Sequence, residues 1–257
     1  MPPNQLKIII IGNGKFYKSI IKTNYFNVIR CFSKTEILNL ENIDFDVIWI
    51  LTQDRLIEDI SYNLSTLNVS FKNKTVIHSS GFTSINVLKI LHDKGALTIS
   101  LHPNLSLTGE LPIPSDIVWS YTSDNKEEAF NVVSKLLNQL KPILMFLDDN
   151  SKILYHTAAT FASNFSLTFF NISKKLFIKA GINETLAKKI VASYMYASIN
   201  NSLITDLFPL TGPITRDDTN VIENQIAVVM KNFPEYSNLF NELLTITKNI
   251  YYKENNI

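Results

Sequence analysis

The stretch 151–165, SKILYHTAATFASNF, carries polar residues whose types and spacing are suited to acid–base chemistry. Those that recur every three or four positions are Lys152, His156, Thr160 and Ser163. This interval places side chains on one face of an α-helix, and Asn164 flanks that face. An ammonium or an imidazole beside a carbonyl oxygen can stabilise the negative charge that develops there, or donate a proton to it. The stretch therefore indicates a helix whose polar face could line a reactive site.

The neighbours of this polar face bear on whether it faces a cavity or bulk water. A polar stripe on an otherwise buried helix needs polar partners or a wet cavity, whereas a solvent-facing stripe needs neither. The residues that alternate with the polar ones are small or apolar: Ala158, Ala159, Phe161 and Ala162. We therefore expect a helix that is buried on most of its faces, and a solvent-facing stripe is the alternative.

Two further histidines follow apolar runs, His78 in VIHSSG and His102 in SLHPNLSLTG. Ligands of open α/β sheets bind in the crevice outside the carboxyl ends of the strands. We therefore expect His102 to line a substrate cleft there, and Ser79 and Ser80 to approach the cofactor and the cleft. A hydrogen-bonded structural role is the alternative for each histidine, and both interpretations stay open.

The segment LTGPITRDD, 210–218, is a third candidate cluster. Its glycine and proline predict a constrained turn. Arg216 could bind a substrate carboxylate through two parallel hydrogen bonds. Equally, it could pair with Asp217 or Asp218 where the next helix begins.

A glycine turn lies near the start of the chain, in KIIIIGNGKFYKSI, 7–20. A dinucleotide fingerprint needs a strand, a tight turn, and a helix start whose free N–H groups face a pyrophosphate. Gly12 and Gly14 fill the first two glycine positions, whereas Tyr17 stands where a third glycine would pack helix against strand. The predicted cofactor contacts are Gly12, Asn13, Gly14, Lys15 and Phe16. An ordinary strand-to-helix turn is the alternative.

The turn after the second predicted strand bears on the choice of cofactor. NAD sites usually place an acidic residue there for the ribose 2′-hydroxyl, but this chain reads VIRCFSKTE, with Ser33 and Lys34 in the turn. A hydroxyl and an ammonium suit a 2′-phosphate, and a solvated basic turn is the alternative. Leu51 and Thr52 end the third strand at the same edge. We therefore expect NADP(H) as the cofactor.

The elements that must position these residues fall into two halves. Short apolar runs alternate with helical patterns at first, which is typical of a mostly parallel sheet with crossover helices. The predicted strands are 7–11, 27–32, 47–51, 75–78, 97–101, 117–121 and 143–146, with a helix at 126–140. Long helical patterns follow at 151–180, 183–201, 218–232 and 234–252, with Gly181 ending the first and a loop at 207–216. We predict an α/β Rossmann-like dinucleotide-binding domain, 1–148, and an all-helical substrate domain, 149–257.

Composition excludes several classes of function. The 257 residues are 46% hydrophobic and carry a formal net charge of +1, so no strong field attracts nucleic acid or an acidic membrane. No stretch approaches the ~20 apolar residues that cross a bilayer. Cys31 is the single cysteine, and the histidine spacing matches no zinc signature, so we expect no metal. A soluble cytoplasmic protein that acts on a small molecule is the expectation.

Four motifs, HSSG, LHPNLSLTG, LYHTAATFASNF and LTGPITRDD, follow the glycine turn in this order. Together they resemble a bacterial family of Rossmann-like proteins, and the resemblance covers nearly the whole chain. That family joins a nucleotide-binding domain to an all-helical domain akin to those of 6-phosphogluconate dehydrogenase and ketopantoate reductase. The chain departs from the family pattern at Tyr17, and at Asp217, where a glycine usually precedes the final acid.

Within that family the chain is similar to the branch that provides an alternative ketopantoate reductase for pantothenate synthesis. The resemblance implies NADPH-dependent reduction of 2-dehydropantoate, a 2-oxo acid, to pantoate, and a homodimer formed through the helical domain. Related reductases open that domain with Lys-x-x-x-Asn, so Lys152 would be the acid and His156 would replace the amide that orients the substrate. The implied site adds Asn164 to the catalytic residues, and His102, Ser163 and Arg216 to the substrate contacts. A reductase of another 2-oxo acid or an imine, or a non-catalytic NADP-binding sensor, is the alternative.

Overall fold

A computed structural model describes residues 5–33, 36 and 39–255. Contacts divide the chain into two compact units, Met1–Ser166 and Leu167–Ile257. The first contains a sheet with its flanking helices, and the second is helical. The sequence predicts a domain boundary at 148/149, whereas the contacts divide the chain after Ser166. Where one folding domain ends and the next begins stays a prediction.

The first unit is built on one seven-stranded sheet of order β2-β1-β3-β4-β5-β6-β7. Its strands are β1 Ile8–Ile11, β2 Val28–Phe32, β3 Val47–Ile50, β4 Thr75–His78, β5 Leu97–Pro103, β6 Val118–Thr122 and β7 Ile143–Phe146. All neighbouring pairs are parallel except β5 and β6. The predicted Rossmann-like, mostly parallel α/β fold is therefore confirmed.

The central strands are apolar without alternation because both faces of the sheet are covered. Successive side chains of a strand point to opposite faces. Accordingly, Ile8 and Ile10 pack in one buried cluster while Ile9 and Ile11 pack in the other. The covering helices are α1 Lys15–Thr23, α2 Ile57–Ser65, α3 Lys89–His92 and α4 Lys126–Leu137.

Strand β5 is longer than its apolar run predicts. Its pairing with β4 ends at Ser100, opposite His78, but the strand continues to Pro103. The antiparallel neighbour β6 makes this extension possible, because it pairs with residues 100–103 and places Ser120 opposite His102. His102 therefore lies within a paired strand that projects past the end of β4, instead of following a strand as predicted.

A nearly continuous helix runs through the predicted reactive stretch, as α5 Lys152–Ala159, a π-helical turn Thr160–Phe165 and α6 Ser166–Lys179. The expectation that its 151–165 portion is buried on most faces is wrong. Lys152 is buried, but Leu154 is 76% exposed and Phe161 is 66% exposed. Apolar spacing predicts that a face is covered, but it does not show that the face packs within the core of the same chain.

The second unit continues with α7 Glu184–Leu203, α8 Thr219–Asn232 and α9 Ser237–Glu254, and a loop occupies 204–218. Gly181, at φ +89°, stands after α6 in the left-handed conformation expected of it. Asn183 caps α7 by accepting a hydrogen bond from the amide of Leu186, and Asp218 caps α8. The helices predicted for this half are confirmed. No helix in the described ranges is long and apolar enough to cross a membrane.

Candidate active site at the carboxyl edge of the sheet

The glycine turn after β1 leaves room for a phosphate. Gly12 has φ +115°, and a Cβ there would lie 2.5 Å from the carbonyl oxygen of Leu51, so only glycine fits. Gly14 opens α1, and a Cβ there would meet no atom within 4 Å. The first turn of α1 contains no acidic side chain, and no side-chain cap occupies its N-terminus. The helix N–H groups and dipole therefore face open space that suits an anion.

The residues beside this turn divide into exposed and packed ones. Asn13 and Lys15 are exposed, as cofactor contacts would be. The ring of Phe16 instead packs edge-on to Trp49, 5.6 Å between centroids, so the backbone is the part of Phe16 that can meet a ligand. Tyr17 packs against the core, and its hydroxyl contacts the thiol of Cys31 on β2. The bulky substitute for the third glycine thus fills space between α1 and β2.

The end of β3 contains an unsatisfied polar atom next to the glycine turn. The Thr52 hydroxyl is buried and has no hydrogen-bond partner in the described chain. The Thr52 methyl lies 3.1 Å from where a Cβ of Gly12 would stand, which places this residue at the turn. Buried polar groups are normally paired, so the hydroxyl fits a role in holding a bound group. Gly12, Gly14 and Thr52 together fit the phosphate portion of a dinucleotide.

The turn after β2 differs from its sequence-based description. The backbone N–H of Ser33 donates a hydrogen bond to the carboxylate of Glu36, which also lowers the pKa of Glu36 below its usual value. Lys34 lies outside the described residues. The turn therefore contains an acidic side chain that the sequence analysis did not place there, because the chain folds Glu36 back towards Ser33.

The loop after β4 is fixed by side chains of its own. Ser80 Oγ accepts hydrogen bonds from the amides of Phe82 (3.2 Å) and Thr83 (2.8 Å). Ser79, a predicted cofactor contact, accepts a hydrogen bond from the indole N–H of Trp49 at 2.7 Å. His78 is fully buried, and burial lowers its pKa to about 3, with the nearby Lys152 and His102 adding to the effect. His78 is therefore a neutral residue of the core.

Lys152, the predicted acid, is 2% exposed and bonded within the first unit. Its ammonium donates to the carbonyl of Thr83 and to Ser100 Oγ, both at 2.6 Å, and lies 3.8 Å from Asp149. Asp149 in turn accepts hydrogen bonds from Ser84 and from the amide of Ile85. Burial lowers the pKa of Lys152 to about 8, against the opposing effect of Asp149. Through these hydrogen bonds Lys152 connects α5 to the loop after β4.

A second network surrounds the hydroxyl of Tyr155, which the sequence analysis did not single out. His102 Nδ1 lies 2.8 Å from this hydroxyl, and Ser120 Oγ donates to it at 3.0 Å. The same hydroxyl donates to Oδ1 of Asn104. Burial, with the nearby charges of His156 and Lys152, lowers the pKa of His102 to about 4. The sequence spacing could have indicated Tyr155, since it follows Lys152 by three residues and so lies on the same face of the helix.

His156 completes a group of rings at the end of β4 and β5. Its exposed ring lies 6.4 Å from that of His102 and 6.3 Å from that of Phe82. A Cβ on Gly81 would stand 3.0 Å from His102 Nε2, so the glycine allows the imidazole to approach the loop after β4. The structure thus brings His102 and His156, two of the predicted site residues, together. Among the described residues, no group of His, Cys, Asp and Glu could hold a metal.

The remaining predicted residues lie elsewhere. Ser163 and Asn164 belong to the π-helical turn, roughly 10 Å further along the helix than His156 at 1.5 Å per residue. Arg216 is exposed in the 204–218 loop of the second unit. Its alternative pairing with Asp217 is not formed, because Asp217 faces Lys248 at 3.5 Å and accepts from the Tyr252 hydroxyl.

Comparisons with known proteins place the chain in a wider context. A family model described as "Domain of unknown function (DUF2520)" matches residues 117–247. A search of curated proteins found no match. The chain resembles the structure of a Bacteroides fragilis protein provisionally described as an NADP oxidoreductase, with 16% identity, a TM-score of 0.76 and coverage of 95% of this chain and 98% of that one.

Two enzymes with bound cofactor share the fold. One is a reductive aminase from Aspergillus terreus in complex with NADPH and ethyl levulinate, with 12% identity, a TM-score of 0.63 and coverage of 96% of each chain. The other is a Plasmodium falciparum pyrroline carboxylate reductase with NADP bound, with 14% identity, a TM-score of 0.56 and coverage of 96% of this chain and 99% of that one. At these identities the likeness shows the fold alone.

Proposed function

This chain belongs to the family described as a domain of unknown function, DUF2520, and from that premise we propose that it is an NADP(H)-dependent oxidoreductase. Its reaction is the reduction of 2-dehydropantoate (ketopantoate) to pantoate. The observation that carries the proposal is the imidazole group of His102 and His156 at the same sheet edge as an open glycine turn. The choice of ketopantoate as the substrate rests on the similarity of the chain to the branch of the family that provides an alternative ketopantoate reductase.

The direction in which a dinucleotide would lie follows from the sheet. The turn after β1 would hold the pyrophosphate, and the turn after β2 would hold the adenosine ribose. Since β2 lies at one side of β1 and β3 and β4 lie at the other, the nicotinamide half would be bound on the side of β3 and β4. That side includes the loop after β4, against which His102 is packed. The NADP(H) assignment is supported by the cofactors named for the reductive aminase and the pyrroline carboxylate reductase.

The chemistry of the site favours a carbonyl substrate over an iminium ion. Hydride transfer to a carbonyl carbon leaves negative charge on the oxygen, which hydrogen-bond donors stabilise. His102 and His156 are the proposed donors at this edge, with Ser163 and Asn164 as further proposed substrate contacts. A cationic iminium would gain from an available carboxylate, whereas Asp149 is already bound to Ser84 and Ile85.

The first experiment follows NADPH absorbance after ketopantoate is added to the purified protein. Wild type should consume NADPH, and His102→Gln should lower kcat by roughly 10²–10⁴-fold, as loss of a proton donor does. His92→Gln is the matched control, because His92 lies on α3 and is exposed. NADH, other 2-oxo acids and cyclic imines are assayed in parallel.

Three other results would each replace the proposal. Turnover of an imine in preference to every oxo acid would make the protein an imine reductase. Preference for a different 2-oxo acid would change the substrate. NADPH binding without turnover of any carbonyl or imine would favour a sensor.

The proposal includes a homodimer through the helical unit. Within the described part of that unit the buried apolar residues are Ala187, Val191 and Val229. Large apolar side chains are exposed instead, such as Tyr196 at 70% and Leu203 at 78%. So few buried side chains supply little of the apolar burial that stabilises a folded unit. A second copy of the chain would cover these surfaces.

A further inference from the structure

The hydroxyl of Tyr155 stands at the centre of a hydrogen-bond network that controls one imidazole. It lies 2.8 Å from His102 Nδ1, accepts from Ser120 Oγ at 3.0 Å, and donates to Asn104 Oδ1. A turn of the Asn104 amide that exchanges its oxygen and nitrogen would make Asn104 the donor instead. A tyrosine hydroxyl has one proton to donate and can accept two hydrogen bonds. Its proton therefore goes either to His102 or to Asn104, and the choice decides which nitrogen of His102 carries hydrogen.

The two arrangements differ in what they offer a substrate. If Tyr155 donates to the Asn104 oxygen, His102 must donate from Nδ1, and Nε2 presents a lone pair. If the Asn104 amide is turned so that its nitrogen donates, Tyr155 donates to His102 Nδ1 and Nε2 carries the proton. Side-chain amide orientation and histidine tautomer are linked in this way in any such network. A carbonyl oxygen is an acceptor, so it can be bound by the second arrangement and not by the first.

We propose that Tyr155, supported by Ser120 and Asn104, is a positioning residue that holds His102 as the Nε2–H tautomer, so that His102 is the proton donor in the proposed reduction. The inference rests on the proposed function for its substrate. The inference also moves the role of proton donor from Lys152, which the resemblance implies, to His102. The ammonium of Lys152 is already hydrogen-bonded to Thr83 and Ser100. The position of His102 supports this inference. Its Nε2 atom lies against Gly81 in the loop after β4, where the nicotinamide half of a bound cofactor would lie.

The protons that the proposed reduction needs can be supplied by His102 and Tyr155 and replaced from water. A bound NADPH would supply the hydride to the carbonyl carbon of the 2-oxo acid, and His102 Nε2 would give its proton to the carbonyl oxygen. His102 Nδ1 takes the hydroxyl proton of Tyr155 at the same time, so the imidazole stays neutral. Burial raises the pKa of Tyr155 and so opposes the tyrosinate, whereas the hydrogen bond from Ser120 stabilises it, and a turned Asn104 amide would add a second. After the product leaves, Nε2 takes a proton from water and Nδ1 returns its proton to Tyr155.

The tautomer can be measured without any turnover. Protein labelled with ¹⁵N-histidine, without and then with saturating NADPH, is recorded by long-range ¹H–¹⁵N correlation, and His102→Gln identifies the resonances among the four histidines. The expected result at pH 7 is a protonated Nε2 and an unprotonated Nδ1, with Tyr155→Phe changing that pattern. A protonated Nδ1 in the wild-type protein with NADPH bound would overturn the proposal.

Kinetics supply the second measurement. Tyr155→Phe should lower kcat for ketopantoate by roughly 10²-fold, the lower range for loss of general acid catalysis, while the Kd for NADPH and Tm stay near wild type. Tyr62→Phe is the matched control, because Tyr62 is exposed on α2. Ser120→Ala should reduce kcat less than Tyr155→Phe does, since it removes one supporting hydrogen bond. Unchanged kcat in Tyr155→Phe would refute the role of the hydroxyl.

Failure of the proposed function gives a different pattern. If ketopantoate is not consumed by the wild-type protein, the substrate is wrong, and the NMR result still decides the tautomer of His102. If ketopantoate is consumed and Nδ1 carries the proton, the substrate stands and the role of Tyr155 is wrong.

Discussion

At the scale of single residues, Lys152 shows how burial changes the meaning of a charged side chain. Its ammonium is surrounded by Thr83, Ser100 and Asp149, so it already makes its hydrogen bonds within the protein. The sequence correctly indicates that Lys152 is unusual, since helical spacing places it with His156. It cannot reveal the carbonyl of Thr83 as a partner, because that contact joins residues far apart in the chain.

The first prediction concerns the pH dependence of stability that Lys152 imposes. Its pKa in the folded protein is about 8, below the ordinary value of 10.5, so the unfolded chain binds more protons between these values. Unfolding free energy should therefore rise with pH across this window, by up to about 3 kcal/mol at 1.36 kcal/mol per pKa unit. The burial penalty of the ammonium applies in full below pH 8.

The measurement is chemical denaturation of wild type and Lys152→Met at pH 7.5, 9 and 10. Because methionine does not titrate, the wild type should gain stability relative to the variant as pH rises. Lys89→Met, at an exposed position paired with Asp93, is the control and should show no such change. A constant difference between wild type and Lys152→Met would mean that the lysine is not held as the structure places it.

At the scale of elements, the strand–turn–helix at the start of the chain yields a matched pair of substitutions. Gly14→Ala should fold normally, because φ at Gly14 is −75° and its surroundings are open. It should weaken NADPH binding, since the new methyl group enters the space next to the helix N-terminus. Gly12→Ala should instead lower Tm, because the Cβ would clash with Leu51 and φ is positive.

Two measurements on each variant separate these effects, NADPH titration by fluorescence and thermal unfolding. The expected pattern is lost affinity with unchanged Tm for Gly14→Ala, and lowered Tm for Gly12→Ala. Wild-type NADPH affinity in Gly14→Ala would place the pyrophosphate elsewhere and remove the glycine turn from the site.

The elements also show what the sequence could and could not predict. Apolar runs located the strands to within a residue or two at most ends, since strands covered on both faces form nearly continuous apolar runs. The extension of β5 to Pro103 was not predictable, because it depends on the antiparallel partner β6. Tyr155 was missed for a similar reason: its partners His102 and Ser120 meet it only once β5, β6 and α5 are assembled.

At the scale of the whole molecule, the exposed apolar side chains of the helical unit predict self-association. Size-exclusion chromatography with light scattering should give a dimer at micromolar concentration. Tyr196→Lys with Leu203→Lys should shift the species towards monomer and lower Tm, because it places charge on the surface that the second copy covers. Lys253→Glu, near the end of α9, is a control for change of charge alone. A stable wild-type monomer would contradict the proposed homodimer.

The claim on which the rest depends is hydride transfer from a bound NADPH to the carbonyl carbon of a 2-oxo acid. The most direct measurement uses NADPH that carries deuterium at both hydrogen positions of C4, with ketopantoate as acceptor, and mass spectrometry of the product. We expect pantoate that carries one deuterium at C2, formed in equal amount to the NADPH consumed, and formed far more slowly by His102→Gln. Product without deuterium, or NADPH bound and unconsumed, would contradict it.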